Sequence, residues 1–332
     1  MSRAVEAALP FWLDRPDTEA LDLAREAWSA GLHGLWIGEM ATYDAFALAT
    51  AIGIAAPGMR LSIGPLPISV RTPAGIALGA GTVASLTGAR VDVALGASSP
   101  VIVTGWHGRD WGGSMTRMRE TIDALRPLLA GQRTHYNGDL VSSNGFRVRH
   151  PLPGTRIAVG AFGDDMVRLT ARHADELVLN LATPARVARI REHIDRHARA
   201  ADRQPPHLTV WVPAAVDPGP QTWRQVAAQL AVYLRPPGYG EMFTGLGFGA
   251  LVDDARRGIP RAQLASAIPS ELPRLVGAFG TEAEVRGRIA EFRAAGADTV
   301  AVVPATTNDP DDPNGRATLR CAARCLTEEM AS

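Results

Sequence analysis

The stretch from Asp17 to Glu39, DTEALDLAREAWSAGLHGLWIGE, predicts a helix, a glycine stop and a short buried strand. Acidic residues at its start suit the positive end of a helix dipole, and its apolar residues then recur at helical spacing. Gly31 stands where a helix commonly ends in the left-handed conformation. The apolar run at residues 35–39 is too short for a helix and ends in an acid, so we interpret it as a strand.

The stretch from residue 281 to residue 303, TEAEVRGRIAEFRAAGADTVAVV, repeats this order of features near the end of the chain. Thr281 and Glu284 have the spacing of a capping box, in which the Thr side chain bonds forward and the Glu side chain bonds back. Gly296 ends this helix, and residues 299–303 follow as a strand. The two stretches therefore resemble the second and last units of one repeating architecture.

Six further apolar runs are typical of strands. They cover residues 7–12, 60–64, 90–95, 156–160, 176–180 and 208–213. Thr72 and Thr183 each precede a proline, which is a common start of a helix. Because apolar strands that alternate with helices pair in parallel, eight such units predict an α/β fold, a closed (β/α)8 TIM barrel. No glycine-rich dinucleotide fingerprint follows the first strand, which disfavours an open doubly wound sheet.

Two segments interrupt the alternation of strands and helices. Residues 132–150 have the turn residues of a hairpin-like insertion, and residues 235–280 are rich in glycine and proline and predict an irregular helical excursion. Long excursions of this kind are often lids or binding loops. Since no linker divides the chain, we expect residues 1–332 to form a single domain.

Composition narrows the choice of partners and compartment. The 332 residues are 46% hydrophobic and carry 34 basic and 34 acidic side chains, so a net charge of zero gives no reason to expect nucleic acid or an anionic membrane as partner. Neither a signal peptide nor a run of about 18 apolar residues is visible, and we expect a cytoplasmic protein. Cys321 and Cys325 stand four apart, where small helix residues are a better interpretation than a disulfide.

Candidate site residues follow the predicted strands, because the active site of a parallel barrel lies at the C-terminal ends of its strands. Glu39 ends the second strand, and we interpret it as a functional carboxylate rather than a surface acid. The third strand ends in GPLP at residues 64–67, where a cis peptide bond and a tight trans turn both remain open. Gly96, Ala97 and Ser98 end the fourth strand, and such small residues let a planar ligand approach the backbone.

The next loop and the turn after the fifth strand supply further candidates. Trp106 and His107 lie in the loop, where His107 is either a substrate contact or a solvated, structural residue. The turn consists of Gly160, Ala161, Phe162 and Gly163. Free amide groups at the helix that follows suit a phosphate, although the acids at 164 and 165 leave open that they only cap the helix. No metal-binding constellation stands out, since His193 and His197 lie on a strongly charged helix.

These motifs, in this order along the chain, resemble the luciferase-like monooxygenase family of the bacterial-luciferase superfamily, and within it the branch of coenzyme F420-dependent oxidoreductases. The matching segments are residues 36–39, 61–67, 93–98, 117–120, 131–138, 161–176, 279–281 and 294–298. The resemblance implies hydride transfer at C5 of a deazaflavin held at the barrel mouth. It implies that Glu39 and residues 96–98 contact the ring, that the family's non-prolyl cis bulge falls near Pro65-Leu66-Pro67, and that residues 160–163 bind the phosphate.

Two departures limit what the resemblance implies. Family members that oxidise sugar phosphates have Asp-His at the end of the second strand, where this chain has Glu39-Met40. They also carry a glutamate after the fourth strand, where this chain has Ser99. Their substrate is therefore not carried over, and the proton donor is open between His107, Tyr239 and the loop tryptophans.

The remaining expectations concern the substrate and the alternatives. We expect a small, largely apolar organic substrate, since the pocket would draw on Phe11, Trp12, Trp106 and Tyr239. The resemblance also implies a homodimer formed through barrel helices. Two alternatives stay open on the same fold: an FMN-dependent monooxygenase, and a catalytically idle flavin-binding protein.

Overall fold

The computed structural model describes residues 4–10, 16–39, 43–305 and 315–327. The strands are β1 (Ala4–Ala8), β2 (Gly34–Ile37), β3 (Arg60–Pro67), β4 (Val91–Gly96), β5 (His135–Asn137), β6 (Ser142–Asn144), β7 (Ile157–Gly160), β8 (Glu176–Asn180), β9 (His207–Val216), β10 (Ala278–Gly280) and β11 (Thr299–Pro304). The helices are α1 (Glu19–Ala30), α2 (Ala45–Ala55), α3 (Pro73–Thr87), α4 (Ser114–Leu129), α5 (Asp164–His173), α6 (Pro184–Arg199), α7 (Pro220–Tyr233), α8 (Tyr239–Phe243), α9 (Gly249–Arg256), α10 (Arg261–Ala267), α11 (Glu271–Val276), α12 (Glu282–Ala294) and α13 (Arg316–Thr327). None of the described helices is long and apolar enough to cross a membrane.

Eight parallel strands close into a barrel. Their order is β11-β1-β2-β3-β4-β7-β8-β9, and the pairings of β8 with β9 and of β9 with β11 complete the ring. The predicted (β/α)8 barrel is confirmed. A short further strand, β10, pairs only with the end of β9, at the edge of the excursion that precedes the last unit.

The first strand lies earlier than the sequence predicts. It covers Ala4–Ala8, whereas the sequence predicts residues 7–12, of which residues 9 and 10 are not in the strand and residues 11 and 12 lie outside the described residues. The acid Glu6 interrupts the apolar pattern there, yet its side chain is buried inside the barrel and accepts a hydrogen bond from the Trp36 indole, 2.9 Å away. A buried partner thus makes a charged residue compatible with a central strand.

Helix ends follow the sequence closely. Gly31 adopts a left-handed φ of 98° after α1, and the Thr72 and Thr183 hydroxyls accept backbone N–H bonds at the starts of α3 and α6. The Thr281–Glu284 capping box is formed in both directions. These predicted helix boundaries are confirmed.

The two insertions also form as predicted in kind. β5 and β6 make an antiparallel hairpin, and residues 235–280 contain the four short helices α8–α11 and a π-helical turn at Thr244–Phe248. Glu120 of α4 holds the hairpin by accepting N–H bonds of 2.8–3.0 Å from three of its backbone amides, at residues 139–141. These three amide N–H groups hold the pKa of Glu120 below its usual range, and the amide of Leu140 has the largest effect.

The barrel interior is divided into three levels. The N-terminal strand ends carry a buried ionic cluster, which we call the floor and which consists of Glu6, Arg60, Asp92, Arg156 and Glu176. Above the floor lies an apolar layer of Ala8, Trp36, Ala94, Ala158, Val178, Trp211, Ala301 and Val303. In it the two indoles meet edge to face, 5.7 Å between ring centroids, and small residues leave room for them. The third level is the mouth, at the C-terminal strand ends.

Candidate active site

The backbone at the mouth is shaped around Pro65. The Gly64–Pro65 peptide bond is cis, so of the two alternatives the cis turn is confirmed, but the bond precedes a proline and is not the non-prolyl bond that the resemblance implies. The register of β3 against β4 shifts between Ile63 and Leu66. A Cβ at Gly96 would lie 2.9 Å from Pro65 Cβ, and one at Gly160 would lie 3.2 Å from Pro65 Cγ. Both glycines therefore make room for the proline ring, so a ligand is not needed to explain them. The Leu66 side chain is fully buried in the outer core and does not face the mouth.

A tryptophan fixes the segment after β4. Ser98 has a left-handed φ of 60°, which a non-glycine residue rarely adopts. The Trp111 indole N–H donates to the carbonyls of Ala97 and Ser98, at 3.1 and 3.3 Å. This contact fixes the backbone of Ala97 and Ser98 at the mouth.

Glu39 is a pinned carboxylate. Arg71 Nε lies 3.1 Å from both of its oxygens, and Arg71 also pairs with Asp44, the N-cap residue of α2. Burial raises the pKa of Glu39, while Arg71 and the nearby His107 act in the opposite direction and Asp44 adds to the rise. The carboxylate of Glu39 is thus held in place by Arg71 just after the end of β2. Neither Arg71 nor Asp44 was predicted from the sequence, although an acid directly before the apolar helix α2 is a recognisable N-cap signal.

The predicted loop after β4 is helical. Val101–Trp106 form a π-helical turn, and His107 ends it with its backbone N–H on the Ile102 carbonyl. The loop prediction was wrong for residues up to Trp106, because β-branched residues and a glycine in this segment are poor helix formers, whereas residues 107–113 are not helical. Trp106 is 56% exposed and His107 is exposed, so neither is enclosed by the described residues around it.

The turn between β7 and α5 is open to a ligand. Gly163 is the N-cap of α5 and supplies no side chain, and a Cβ placed there would meet no described heavy atom within 4 Å. The acids that follow point outward, since the Asp164 side chain is 80% exposed and Asp165 pairs with Arg168 at 2.6 Å. They leave the first-turn amides of α5 free to bind an anion.

Arg186 of α6 stands over this turn. Its Nη2 donates to the Phe162 carbonyl at 2.5 Å, whereas its buried Nε has no hydrogen-bond partner among the described residues. Burial lowers the pKa of Arg186, nearby Arg189 lowers it further, and Asp164 opposes the change. A partly buried cation without a close carboxylate is suited to a bound anion, and this cation was not predicted from the sequence.

Aromatic rings and an amide form the opposite wall of the mouth. Tyr239 packs on Phe162 at 4.2 Å and on Tyr233 at 4.7 Å between ring centroids, and Asn180 Nδ2 donates to its hydroxyl at 3.0 Å. Burial raises the pKa of Tyr233 to about 12 and that of Tyr239 well above its usual value, so both remain neutral phenols. Asn180 ends β8, a strand that the sequence predicts. A polar residue at the C-terminal end of a barrel strand could therefore have indicated this part of the site.

A cavity lies behind this wall, between β8, β9, β11 and α7. Asn180, Tyr233, Trp211 and Gln229 contribute its polar groups, and the remaining described residues around it are aliphatic. Trp211 and Gln229 were not among the predicted site residues. The predicted substrate contacts Phe11 and Trp12 lie outside the described residues, and Trp106 is not among the described residues that line this cavity.

Comparison with known proteins agrees with this architecture. The profile of the luciferase-like monooxygenase family matches residues 12–299. A Mycobacterium tuberculosis protein described as a candidate coenzyme F420-dependent oxidoreductase is 26% identical over 332 residues, covering 92% of this chain and 96% of that protein.

Solved structures share the fold at lower identity. The coenzyme F420-dependent tetrahydromethanopterin reductase of Methanopyrus kandleri superposes with a TM-score of 0.82 at 16% identity, covering 98% of this chain and 99% of that one. The oxygenating constituent of 3,6-diketocamphane monooxygenase of Pseudomonas putida, a type II Baeyer–Villiger enzyme in complex with FMN, has a TM-score of 0.71 at 17% identity, covering 99% and 98%. By the extent of the family match, this chain belongs to the luciferase-like monooxygenase family.

Proposed function

We propose that this chain is an oxidoreductase that uses the deazaflavin coenzyme F420 to transfer a hydride to or from a small, largely apolar organic substrate. The observation that carries the choice of coenzyme is the similarity, over 92% of the chain, to a candidate F420-dependent oxidoreductase. The arrangement of the mouth supports it, because an anion site, a pinned carboxylate and an apolar cavity lie around one opening. For the chain as a whole we propose one domain over residues 1–332 in the cytoplasm, whose reducing medium suits the buried thiols of Cys321 and Cys325.

The phosphate of the coenzyme would be held by the turn of residues 160–163. Gly163 leaves the first-turn amides of α5 accessible, and Arg186 offers an unpartnered Nε–H next to them. Gly160, Ala161 and Phe162 form the backbone wall on which the chain of the coenzyme would lie. The residues present therefore fit a phosphate-bearing coenzyme.

The ring would be held on the side of Glu39. The carboxylate with its Arg71 partner, the backbone at Leu66, and the segment Gly96, Ala97 and Ser98 are the groups available there. A bound deazaflavin supplies a carbon that accepts or releases a hydride, and its lack of N5 disfavours reaction with oxygen. Glu39 and His107 are the titratable pair at this side, and we propose that the Glu39 carboxylate holds or releases the proton that accompanies the hydride.

The first experiment is a fluorescence titration of the purified protein with coenzyme F420 and FMN, each beside its phosphate-free counterpart. Arg186→Met should weaken binding of the phosphate-bearing form by about tenfold or more, as expected when a charge-assisted hydrogen bond is lost. It should leave the phosphate-free form unchanged. Arg199→Met, an exposed arginine at the other end of α6, is the matched control.

Each result of this titration has a distinct meaning. Saturable binding of coenzyme F420 in preference to FMN supports the proposal. A preference for FMN supports the FMN-dependent monooxygenase alternative instead. Binding of coenzyme F420 without reduction or reoxidation by any carbonyl, alkene or alcohol tested would leave the idle flavin-binding protein. Binding of neither coenzyme would refute the proposal.

We also propose a homodimer formed through α2 and α3. Neither helix carries a charged residue, and their outer face exposes Ile54, Leu78 and Leu86, with 54–64% of each residue accessible. Uncharged apolar faces of this kind are typical of subunit interfaces. Leu78→Glu combined with Leu86→Glu should convert the dimer into a monomer in sedimentation velocity, and a wild-type monomer would contradict the proposal.

A further inference from the structure

The two tryptophans in the apolar layer differ in one respect. The Trp36 indole donates to Glu6 on the floor at 2.9 Å. The Trp211 indole, with only 5% of the residue exposed, has no hydrogen-bond partner for Nε1 among the described residues. A buried N–H without an acceptor is unfavourable, so a residue retained in this state suggests an acceptor that comes from outside the chain.

Trp211 faces the cavity behind the aromatic wall. Its strand neighbours are Asn180 on β8 and Ala301 on β11, which places the ring directly below the mouth. Gln229 of α7 lines the same cavity from the other side, and its Nε2 is likewise buried without a partner among the described residues. Two unrelated elements, β9 and α7, thus each contribute to the lining of one cavity a residue with an unsatisfied N–H group among the described residues.

The rest of the lining restricts what can enter. The other described residues around the cavity include Leu9, Leu181, Val226, Leu230 and Val303, and none of the lining residues carries a charge. A carboxylate or phosphate would lose its hydration there without a cation to replace it. The Asn180 Nδ2 group already donates to the Tyr239 hydroxyl at 3.0 Å, and Asn180 also hydrogen-bonds with Tyr233, so this amide is engaged within the wall.

A carbonyl oxygen fits these groups best, because it has two lone pairs and no hydrogen to donate. We propose that this cavity binds the oxygen of an uncharged aliphatic ketone or aldehyde, held by Trp211 Nε1–H and Gln229 Nε2–H. The proposal rests on the proposed function in one respect, since it names the substrate class on which the hydride transfer would act. Trp211 and Gln229 are then the residues that select a carbonyl compound over a hydrocarbon of the same shape.

The test compares cyclopentanone, labelled with 13C at its carbonyl carbon, with methylenecyclopentane, which has a similar shape and no acceptor oxygen. Cyclopentanone should bind saturably, with its carbonyl resonance at or downfield of the position in water, because two N–H donors replace the water. Gln229→Leu should weaken cyclopentanone binding by about fivefold to tenfold, the usual effect of losing one neutral hydrogen bond, and leave methylenecyclopentane unaffected. Gln221→Leu, an exposed position on the same helix, is the matched control and should change neither.

Three results would overturn the proposal: no saturable binding of cyclopentanone, an upfield shift of its carbonyl on binding, or an equal loss of both probes in Gln229→Leu. Trp211→Phe should move the bound carbonyl resonance upfield, and the Gln229 variant keeps the test decisive if that core variant does not fold. The titration needs no coenzyme. A protein that binds cyclopentanone but not coenzyme F420 would therefore refute the proposed function alone, and the reverse result would refute this inference alone.

Discussion

The buried carboxyl of Glu176, on the floor of the barrel, should make the free energy of unfolding depend on pH. The side chain is 1% exposed, accepts a hydrogen bond from the Thr209 hydroxyl at 2.5 Å and lies 3.0 Å from Arg156 Nη1. Burial raises the pKa of Glu176 from 4.5 to about 8; the Thr209 hydrogen bond and Arg60 oppose the rise, and the Glu6 carboxylate adds to it. The carboxyl is therefore largely protonated at neutral pH.

The sign of the effect on stability follows from this shift. Below a pH of 4.5 the carboxyl is protonated in both the folded and the unfolded chain, so the stabilising contribution is fully present. As the pH rises towards 8, the unfolded chain releases the proton and the folded chain retains it, and stability is lost. One pKa unit corresponds to about 1.4 kcal/mol, so the loss over this range is on the order of 5 kcal/mol.

Glu176→Gln removes this dependence. The amide keeps the shape of the side chain, can accept from Arg156 and can donate to the Thr209 oxygen. At about pH 5 the variant should match the wild type, and at about pH 9 it should be more stable by an amount on the order of 5 kcal/mol. Urea unfolding followed by circular dichroism at several pH values measures the difference.

Glu192→Gln, an exposed position on α6, is the control for a lost carboxylate. Two results would refute the reasoning. Parallel stability curves for wild type and Glu176→Gln would mean that the folded and unfolded pKa values are the same. A wild type that gains stability over the variant as the pH rises would mean that Glu176 is ionised and paired with Arg156.

Two further predictions test the mouth of the barrel. Arg71→Met removes the cation that lowers the pKa of Glu39, so the acid limb of the kcat/KM pH profile should move to higher pH. An acid limb that does not move would show that Glu39 does not control this part of the profile. Gly64→Ala places a Cβ 2.2 Å from the Ala94 carbonyl oxygen at a φ of +123° and should cost about 3 kcal/mol or more of unfolding free energy. Gly160→Ala, whose added Cβ has its nearest contact at 3.2 Å, should cost about 1 kcal/mol of unfolding free energy in the same urea experiment. Equal losses in both variants would mean that the close approach of Gly64 to Ala94 does not limit stability.

The order of elements was predictable because local signals mark it. The left-handed stop at Gly31, the proline starts after Thr72 and Thr183, and the Thr281 capping box depend on residues within one or two turns of each other. Such signals need no knowledge of the rest of the fold. Short apolar runs between these signals placed seven of the barrel strands at nearly their observed positions, whereas the first was displaced because Glu6 breaks the apolar pattern.

The site was less predictable because its contacts join distant parts of the chain. Trp211 lies in a strand that the sequence predicts, but a parallel strand is apolar on both faces and shows no alternation to mark the inner one. The pairing of Arg71 with Glu39 spans 32 residues, and that of Asn180 with Tyr239 spans 59. Only the closed barrel brings these residues together, so composition and spacing cannot reveal which polar atoms remain unpaired.

The layering of the barrel separates stability from function. A strongly raised carboxyl pKa often marks a catalytic group, yet Glu176 lies at the N-terminal strand ends, away from the mouth where parallel barrels act. The alanines and the Trp36–Trp211 pair stand between the two levels. Glu176→Gln should therefore change the pH dependence of unfolding and leave coenzyme affinity unaltered, whereas Arg186→Met should change affinity and leave that pH dependence unaltered. If either variant changed both the pH dependence of unfolding and the coenzyme affinity, the tryptophan layer would couple the floor to the mouth. The Trp211 indole, which has no partner among the described residues, would then need a structural explanation instead of a ligand.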